Sequence, residues 1–162
     1  MQTITPFLWF DNNVEEAVEF YQTIFKDCEI TKVVRNNPAT PGPDGSVMLI
    51  NFRLNGQEFV GLNGGPLFHF TEAISFVINC GTQEEIDHYW DGLAEGGQKS
   101  NCGWLKDKFG LSWQVVPSAL SRLMSSGDPK KSERVMAALM KMDKIDLHVL
   151  ENAYASEAGV TQ

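Results

Sequence analysis

The chain has 162 residues, enough for one domain or two small fused ones with a real hydrophobic core, so no disulfide or metal staple is required. A composition of 43% apolar and 21% charged residues excludes a disordered chain and a fibre. A net charge of −8 repels phosphate backbones and anionic lipid, so neither nucleic acid nor a membrane surface is expected as a partner.

Met1 to Pro6 shows no charged segment followed by an apolar one, and no apolar run is long enough to span a bilayer. Residues 5–9 are short, apolar and bounded by turn residues, which predicts a strand. Residues 14–25 (VEEAVEFYQTIF) place Val14, Ala17, Val18, Tyr21, Ile24 and Phe25 on one helical stripe, and Asn12 with Glu15 fits a capping pair. Strands are predicted over 28–35, 46–54 and 57–63, the last two flanking Asn55-Gly56, which suits a tight hairpin. Residues 36–46 and 63–69 read as loops by their Pro, Gly and Asn content. A strand over 74–78 follows, then a helix over 83–94 (QEEIDHYWDGLA) with Ile86, Tyr89, Trp90 and Leu93 in line. Thr82 with Glu85 caps that helix and Gly96-Gly97 stops it. Residues 103–109 and 111–116 form a strand pair around Gly110.

Beyond Pro117 the character changes to three helices, over 117–126, 128–142 and 146–155, the second opened by Asp128-Pro129. Four of the six methionines lie in this tail. They suit either an accessory bundle packed on the domain or an adaptable surface for a partner or ligand. The final residues, 156–162, are expected to fray.

A shift of 69 lays the first helix on the second: Glu15 on Glu84, Glu16 on Glu85, Phe20 on Tyr89, Tyr21 on Trp90, Ile24 on Leu93. The same shift lays Thr5–Trp9 on Ile74–Ile78. The fold class read from this duplication is α+β: tandem βαβββ modules within residues 1–116 (about 1–65 and 70–116), followed by a helical extension over 117–162.

With Ile4-Thr5-Pro6-Phe7-Leu8-Trp9-Phe10, Phe20-Tyr21, Ala73-Ile74-Ser75-Phe76, Glu85-Ile86-Asp87 and the run from Cys102 to Gln114, the chain resembles the vicinal oxygen chelate superfamily. That superfamily holds glyoxalase I, extradiol dioxygenases, fosfomycin-resistance and bleomycin-binding proteins. The closer resemblance is to its PhnB-like group, often labelled demethylubiquinone methyltransferase. The resemblance covers almost the whole chain. It implies two modules curling around a shared cup, commonly completed by dimerisation, so a homodimer is expected. It also implies four inward positions that hold a divalent cation in metal-dependent relatives. Carried over by motif, these are Pro6, Gly61, Ser75 and Gln114. Two of them have no side-chain donor and none is a His or a carboxylate, so no metal and no cofactor is expected here.

Other chemistry is thin. His69, His88 and His148 read as solvated or structural, with His69 near Glu72 as a suggestive pair only. Cys28, Cys80 and Cys102 are odd in number and lack metal-like spacing, which fits reduced thiols and a cytoplasmic location. Cys102 reads as a small hydrophobe or as a reactive thiol. No nucleophile elbow, Walker loop or glycine-rich strand–helix turn for a nucleotide cosubstrate is recognisable, and Gly64-Gly65, which follows a strand but opens no helix, is a weak phosphate candidate. Lys106-Asp107-Lys108 reads as a solvated hairpin, with Asp107 a remote candidate for a base.

What remains is a lining. If Gln114 faces the cup, Ser112 and Val116 share its side and Trp113 packs behind. If Gly61 faces it, so do Phe59 and Asn63, with Met48, Ile50 and Phe52 across the hairpin, and Pro6, Leu8 and Phe10 from the first strand. The ligand-binding candidates are Gln114, Ser75, Asn63, Phe59, Phe10 and Gly61; catalytic residues are not identified. Such a surface suits a small, largely apolar or aromatic ligand held by a few hydrogen bonds, the alternative being a filled core. The functions in contention are a metal-free small-molecule-binding protein, an enzyme of the superfamily (glyoxalase-like or methyltransferase), and a protein whose tail recruits a partner.

Overall fold

The computed structural model describes residues 2–156. The chain divides into two compact units, Met1–Phe70 and Thr71–Gln162. The expected fraying falls mostly on residues 157–162, outside the described residues.

The first unit contains β1 (Phe7–Phe10), α1 (Val14–Ile24), β2 (Cys28–Arg35), β3 (Val47–Leu54) and β4 (Gln57–Asn63). Its sheet runs β1-β4-β3-β2, with β1 parallel to β4 and the other neighbours antiparallel. The β3–β4 hairpin turns at Asn55-Gly56, both at positive φ, as the dipeptide predicts. Helix α1 covers one face of this sheet. Val14, Ala17, Val18, Tyr21 and Ile24 are buried with Leu8, Phe10, Ile50, Phe52, Leu54 and Phe59. Tyr21 stacks on Phe52 at 6.3 Å and Phe52 on Phe59 at 5.5 Å. Removing one such buried ring costs about 3–5 kcal/mol. Gly61 lies under the first turn of α1, where a β-carbon would collide with Val14.

The second unit repeats the plan with β5 (Ser75–Cys80), α2 (Gln83–Ala94), β6 (Gln98–Lys99), β7 (Trp104–Lys106) and β8 (Ser112–Pro117), in the order β5-β8-β7-β6. The middle strands are abbreviated, as the shorter second half requires. Ile86, Tyr89, Trp90 and Leu93 of α2 bury one face together with Leu105, Trp113, Val115 and Cys80. Thr82 accepts from the backbone N–H of Glu85, and Glu85 reaches back to the N–H of Gly81. At α1 the expected capping by Asn12 does not form. Asn12 has φ 56, and the cap is Asn13, which makes no side-chain cap bond. The helix start is instead held from β4, where Asn63 Oδ1 accepts from Val14 N at 2.9 Å.

The tail forms α3 (Ala119–Met124), α4 (Pro129–Leu139) and α5 (Leu147–Ala155). Its own core is Leu123, Val135, Leu139, Ile145 and Leu150, with Cys102 and Val116 packed against it. The link between α4 and α5 is laced to α2. Gln83 donates to Ile145 O (3.0 Å) and accepts from Leu147 N (2.9 Å), and Lys144 pairs with Asp87 and Asp91.

The Lys106-Asp107-Lys108 segment departs from expectation. Asp107 is 2% exposed, not solvated. Its Oδ1 accepts from Phe109 N (2.9 Å) and Leu111 N (3.1 Å), and its Oδ2 from Trp113 Nε1 (2.9 Å). Strand β7 therefore ends at Lys106, and residues 107–111 close a turn around one carboxylate. Hydrogen bonds to a charged group contribute about 1.5–3 kcal/mol each, and deleting the acceptor strands buried donors. Asp107→Ala should thus lower the free energy of urea unfolding by about 3 kcal/mol, and Trp113→Phe, which removes one donor, by about 1–2 kcal/mol. A loss under about 0.5 kcal/mol for Asp107→Ala would contradict this role.

Candidate functional site

The first unit places Phe10, Phe59 and Gly61 on the face that α1 covers, with Leu8, Ile50 and Phe52. This corrects the expected lining. Alternation sorts residues into two faces, but only the helix decides which face is closed. The opposite, open face carries Phe7 (59% exposed), Val60 and Leu62. Trp9 shares it, beneath the loop 64–70, donating to Gly65 O at 2.8 Å and meeting Phe68 edge-on at 4.9 Å. Asn63 is committed to the fold: besides Val14 N, it bonds Glu15 Oε2 (2.8 Å) and Val47 O (3.0 Å).

The face exchange has a traceable cause. Three residues, Asp11–Asn13, connect β1 to α1, whereas two, Gly81 and Thr82, connect β5 to α2. The helices therefore repeat at 69 but their leading strands at 70. A one-residue slip moves every strand side chain to the other face. By sheet register, Phe7 pairs with Val60 as Val77 pairs with Gln114. The structural counterpart of Gln114 is thus Val60, not Gly61, and that of Ser75 is Thr5, not Pro6. The four positions Thr5, Val60, Ser75 and Gln114 supply two hydroxyls, one amide and one aliphatic side chain. This donor set does not fit a catalytic divalent metal, which calls for about three His or carboxylate ligands. Among the described residues, no group of three or more His, Cys, Asp or Glu could hold a metal ion.

In the second unit the expectation about faces holds. Gln114, Ser112 and Val116 share the side turned away from α2, with Val116 covered by the tail core, while Trp113 packs toward α2 and meets Phe76 at 5.7 Å. Gln114 Nε2 donates to Ser75 Oγ at 2.9 Å. Register across the sheet forms two rows on this side: Ser75, Ser112, Lys106 and Gln98 in one, Val77, Gln114 and Trp104 in the other. A half-open cavity of ≈ 190 Å³ lies here, with Ser112, Trp104, Lys106, Gln98, Ser100 and Glu72 among its lining residues. Lys106 forms an ion pair with Glu72, from the segment before β5. The hydrogen bond from that ammonium, with a backbone N–H second, holds the Glu72 carboxyl below the usual carboxylate range. Ser112 is 0% exposed, and its hydroxyl is buried without a hydrogen-bond partner.

Sequence reasoning grouped Ser112 with Gln114 but missed Trp104, Lys106, Gln98 and Glu72. Pairing β7 to β8 with a turn at 107–111 would have found Trp104 and Lys106; the Glu72 contact leaves no sequence signal. His69, His88 and His148 are exposed, and His148 contacts Asn152. Cys102 is half-buried, 3.8 Å from the Met140 sulfur.

The profile of the family described as 3-demethylubiquinone-9 3-methyltransferase matches residues 2–116. The PhnB protein of Bacillus cereus, provisionally described as a 3-demethylubiquinone-9 3-methyltransferase, is similar at 38% identity and a TM-score of 0.65, over 72% of this chain and 99% of that one. A Pseudomonas aeruginosa protein is similar at 21% identity and TM-score 0.57, over 72% and 98%. The fosfomycin resistance protein FosX of Listeria monocytogenes follows at 17% and 0.54, over 75% and 94%. The last two are likenesses of fold. No curated protein matches the chain.

The thiols give a test of packing behind the site. Burial, with the Glu85 carboxylate second, pushes the Cys80 thiol from 9.0 up to about 11. The folded chain keeps this proton where the unfolded chain loses it. The contribution is full below pH 9.0 and is lost as pH rises through about 11. Iodoacetamide at pH 8 should leave Cys80 unmodified in the native chain and alkylate it in urea, read by peptide mass spectrometry. Equal labelling in both states would refute the buried placement.

Proposed function

We propose a small-molecule-binding function for this chain, which belongs to the PhnB-like, 3-demethylubiquinone-9 3-methyltransferase family of the vicinal oxygen chelate superfamily. The binding site is the open face of the second module, with Trp104 offering a flat apolar wall and Ser112, Gln114 and Ser75 offering polar points. The observation that carries this reading is the Ser112 hydroxyl. A buried hydroxyl without a partner costs about 1–3 kcal/mol, and Ser112 is one of the residues around the cavity, so a ligand that shifts the side chains over it would satisfy it.

Size narrows the ligand. A dry cavity of about 150 Å³ accommodates benzene, and drug-sized ligands need about 300–1,000 Å³. At ≈ 190 Å³, this cavity suits a single ring with one small polar group. The turns that open α1 and α2, Asp11–Asn13 and Gly81-Thr82, contain one glycine between them, which does not support a glycine-rich cosubstrate loop of the common methyltransferase kind.

Two measurements test the proposal. A panel of single-ring compounds read by thermal shift should contain binders, and a ligand at 100-fold its Kd adds about 2.7 kcal/mol to stability. Ser112→Ala should behave unlike a core truncation. It removes an unsatisfied group, so the free protein should be equally or more stable, by up to about 1 kcal/mol. The same variant should weaken hydrogen-bonding ring ligands about fivefold. Absence of any response across the panel, or a strongly destabilised Ser112→Ala, would sink the reading.

A further inference from the structure

The Lys106–Glu72 pair occupies the cavity wall beside Ser112, and its two members differ in how firmly they are held. Lys106 is a strand residue, register-paired with both Ser112 and Gln98 and with its side chain 32% exposed. Glu72 belongs to the turn segment ahead of β5, and its side chain is 59% exposed. The pair shows directly that this ammonium accepts a carboxylate as a neighbour at the cavity. The other polar side chains at the wall, Ser112, Ser100, Gln98 and a second cation, Lys99, all have hydrogens to donate, and Glu72 is the one acid among the lining residues.

We infer that the ligand of this cavity is a single-ring carboxylic acid, and that Glu72 is an internal stand-in for its carboxylate, which the ligand displaces from Lys106. The inference rests on the binding reading above and adds the charge of the ligand and a residue that tunes its affinity. In the free protein Glu72 neutralises Lys106. On binding, the ligand carboxylate takes that ammonium, and the ring lies on the Trp104 side of the cavity. Glu72 swings into water at small cost, because an exposed ion pair is screened by solvent and loses side-chain freedom when it forms. Binding is then a competition between two carboxylates for the Lys106 ammonium.

The test compares benzoate with benzamide, which share ring and size and differ in charge. Calorimetric titration of the full chain should show benzoate binding more tightly than benzamide. Glu72→Gln, which removes the competitor, should tighten benzoate about threefold to fivefold, the factor equivalent to under 1 kcal/mol, and leave benzamide within twofold. Lys106→Met should abolish the preference for benzoate. Melting curves and circular dichroism of each variant control for folding. Equal binding of the two probes, or benzoate affinity unchanged or weakened in Glu72→Gln, overturns this inference and leaves the binding reading standing. Failure of both probes to bind even Glu72→Gln overturns the two together.

Discussion

The buried carboxylate of Asp107 is the constraint from which the second module's site follows. It gathers two backbone N–H groups and the Trp113 indole around one charge, and so fixes where β7 ends and β8 begins. Once Trp113 is tied to that acid on the helix side, parity leaves Ser112 and Gln114 no choice but the open side. Trp104 and Lys106 follow, as their partners across β7. A carboxylate that would be an unfavourable group in a core is tolerated because Phe109 N, Leu111 N and Trp113 Nε1 donate charge-assisted bonds to it. It also accounts for the turn at 107–111 between Lys106 and Ser112.

Much of the architecture could be read from the chain. The helices at 14–25 and 83–94, the Asn55-Gly56 hairpin and the three tail helices are each set by local signals: stripe spacing, positive-φ turn residues, and an Asp-Pro cap. The duplication was also visible, because helix–sheet packing demands large apolar residues at the same helical positions, as in Tyr21 and Trp90. Strand facing was not legible in the first module. Its extra turn residue is inconspicuous in sequence, yet it reverses the meaning of Phe10, Phe59 and Gly61. A helix tolerates such an insertion ahead of it, whereas a strand transmits it to every side chain.

The candidate site was partly legible for a related reason. Ser75 and Gln114, on neighbouring strands, were marked by the resemblance, and alternation placed Ser112 with Gln114. Asn63 looked like a free polar point, but its amide is fully used in holding α1 to β4 and β3. The unpaired state of the Ser112 hydroxyl depends on what surrounds it in three dimensions, and Glu72 reaches Lys106 from a turn that carries no periodic signal. Features of that kind depend on tertiary approach, so spacing rules are silent about them.

The lacing of Gln83 to the α4–α5 link bears on the shorter relatives. The solved Bacillus cereus chain is 99% covered by a match to 72% of this one, and the family match ends at residue 116. In a chain that stops there, the amide at the position of Gln83 loses both main-chain partners, and the side chains at Cys102 and Val116 lose their apolar cover. Those three sites should therefore change in concert with the presence or absence of the tail across an alignment, drifting toward hydrophilic residues where the chain is short. The extension is thus tied into the second module through residues that precede it, Gln83, Cys102 and Val116.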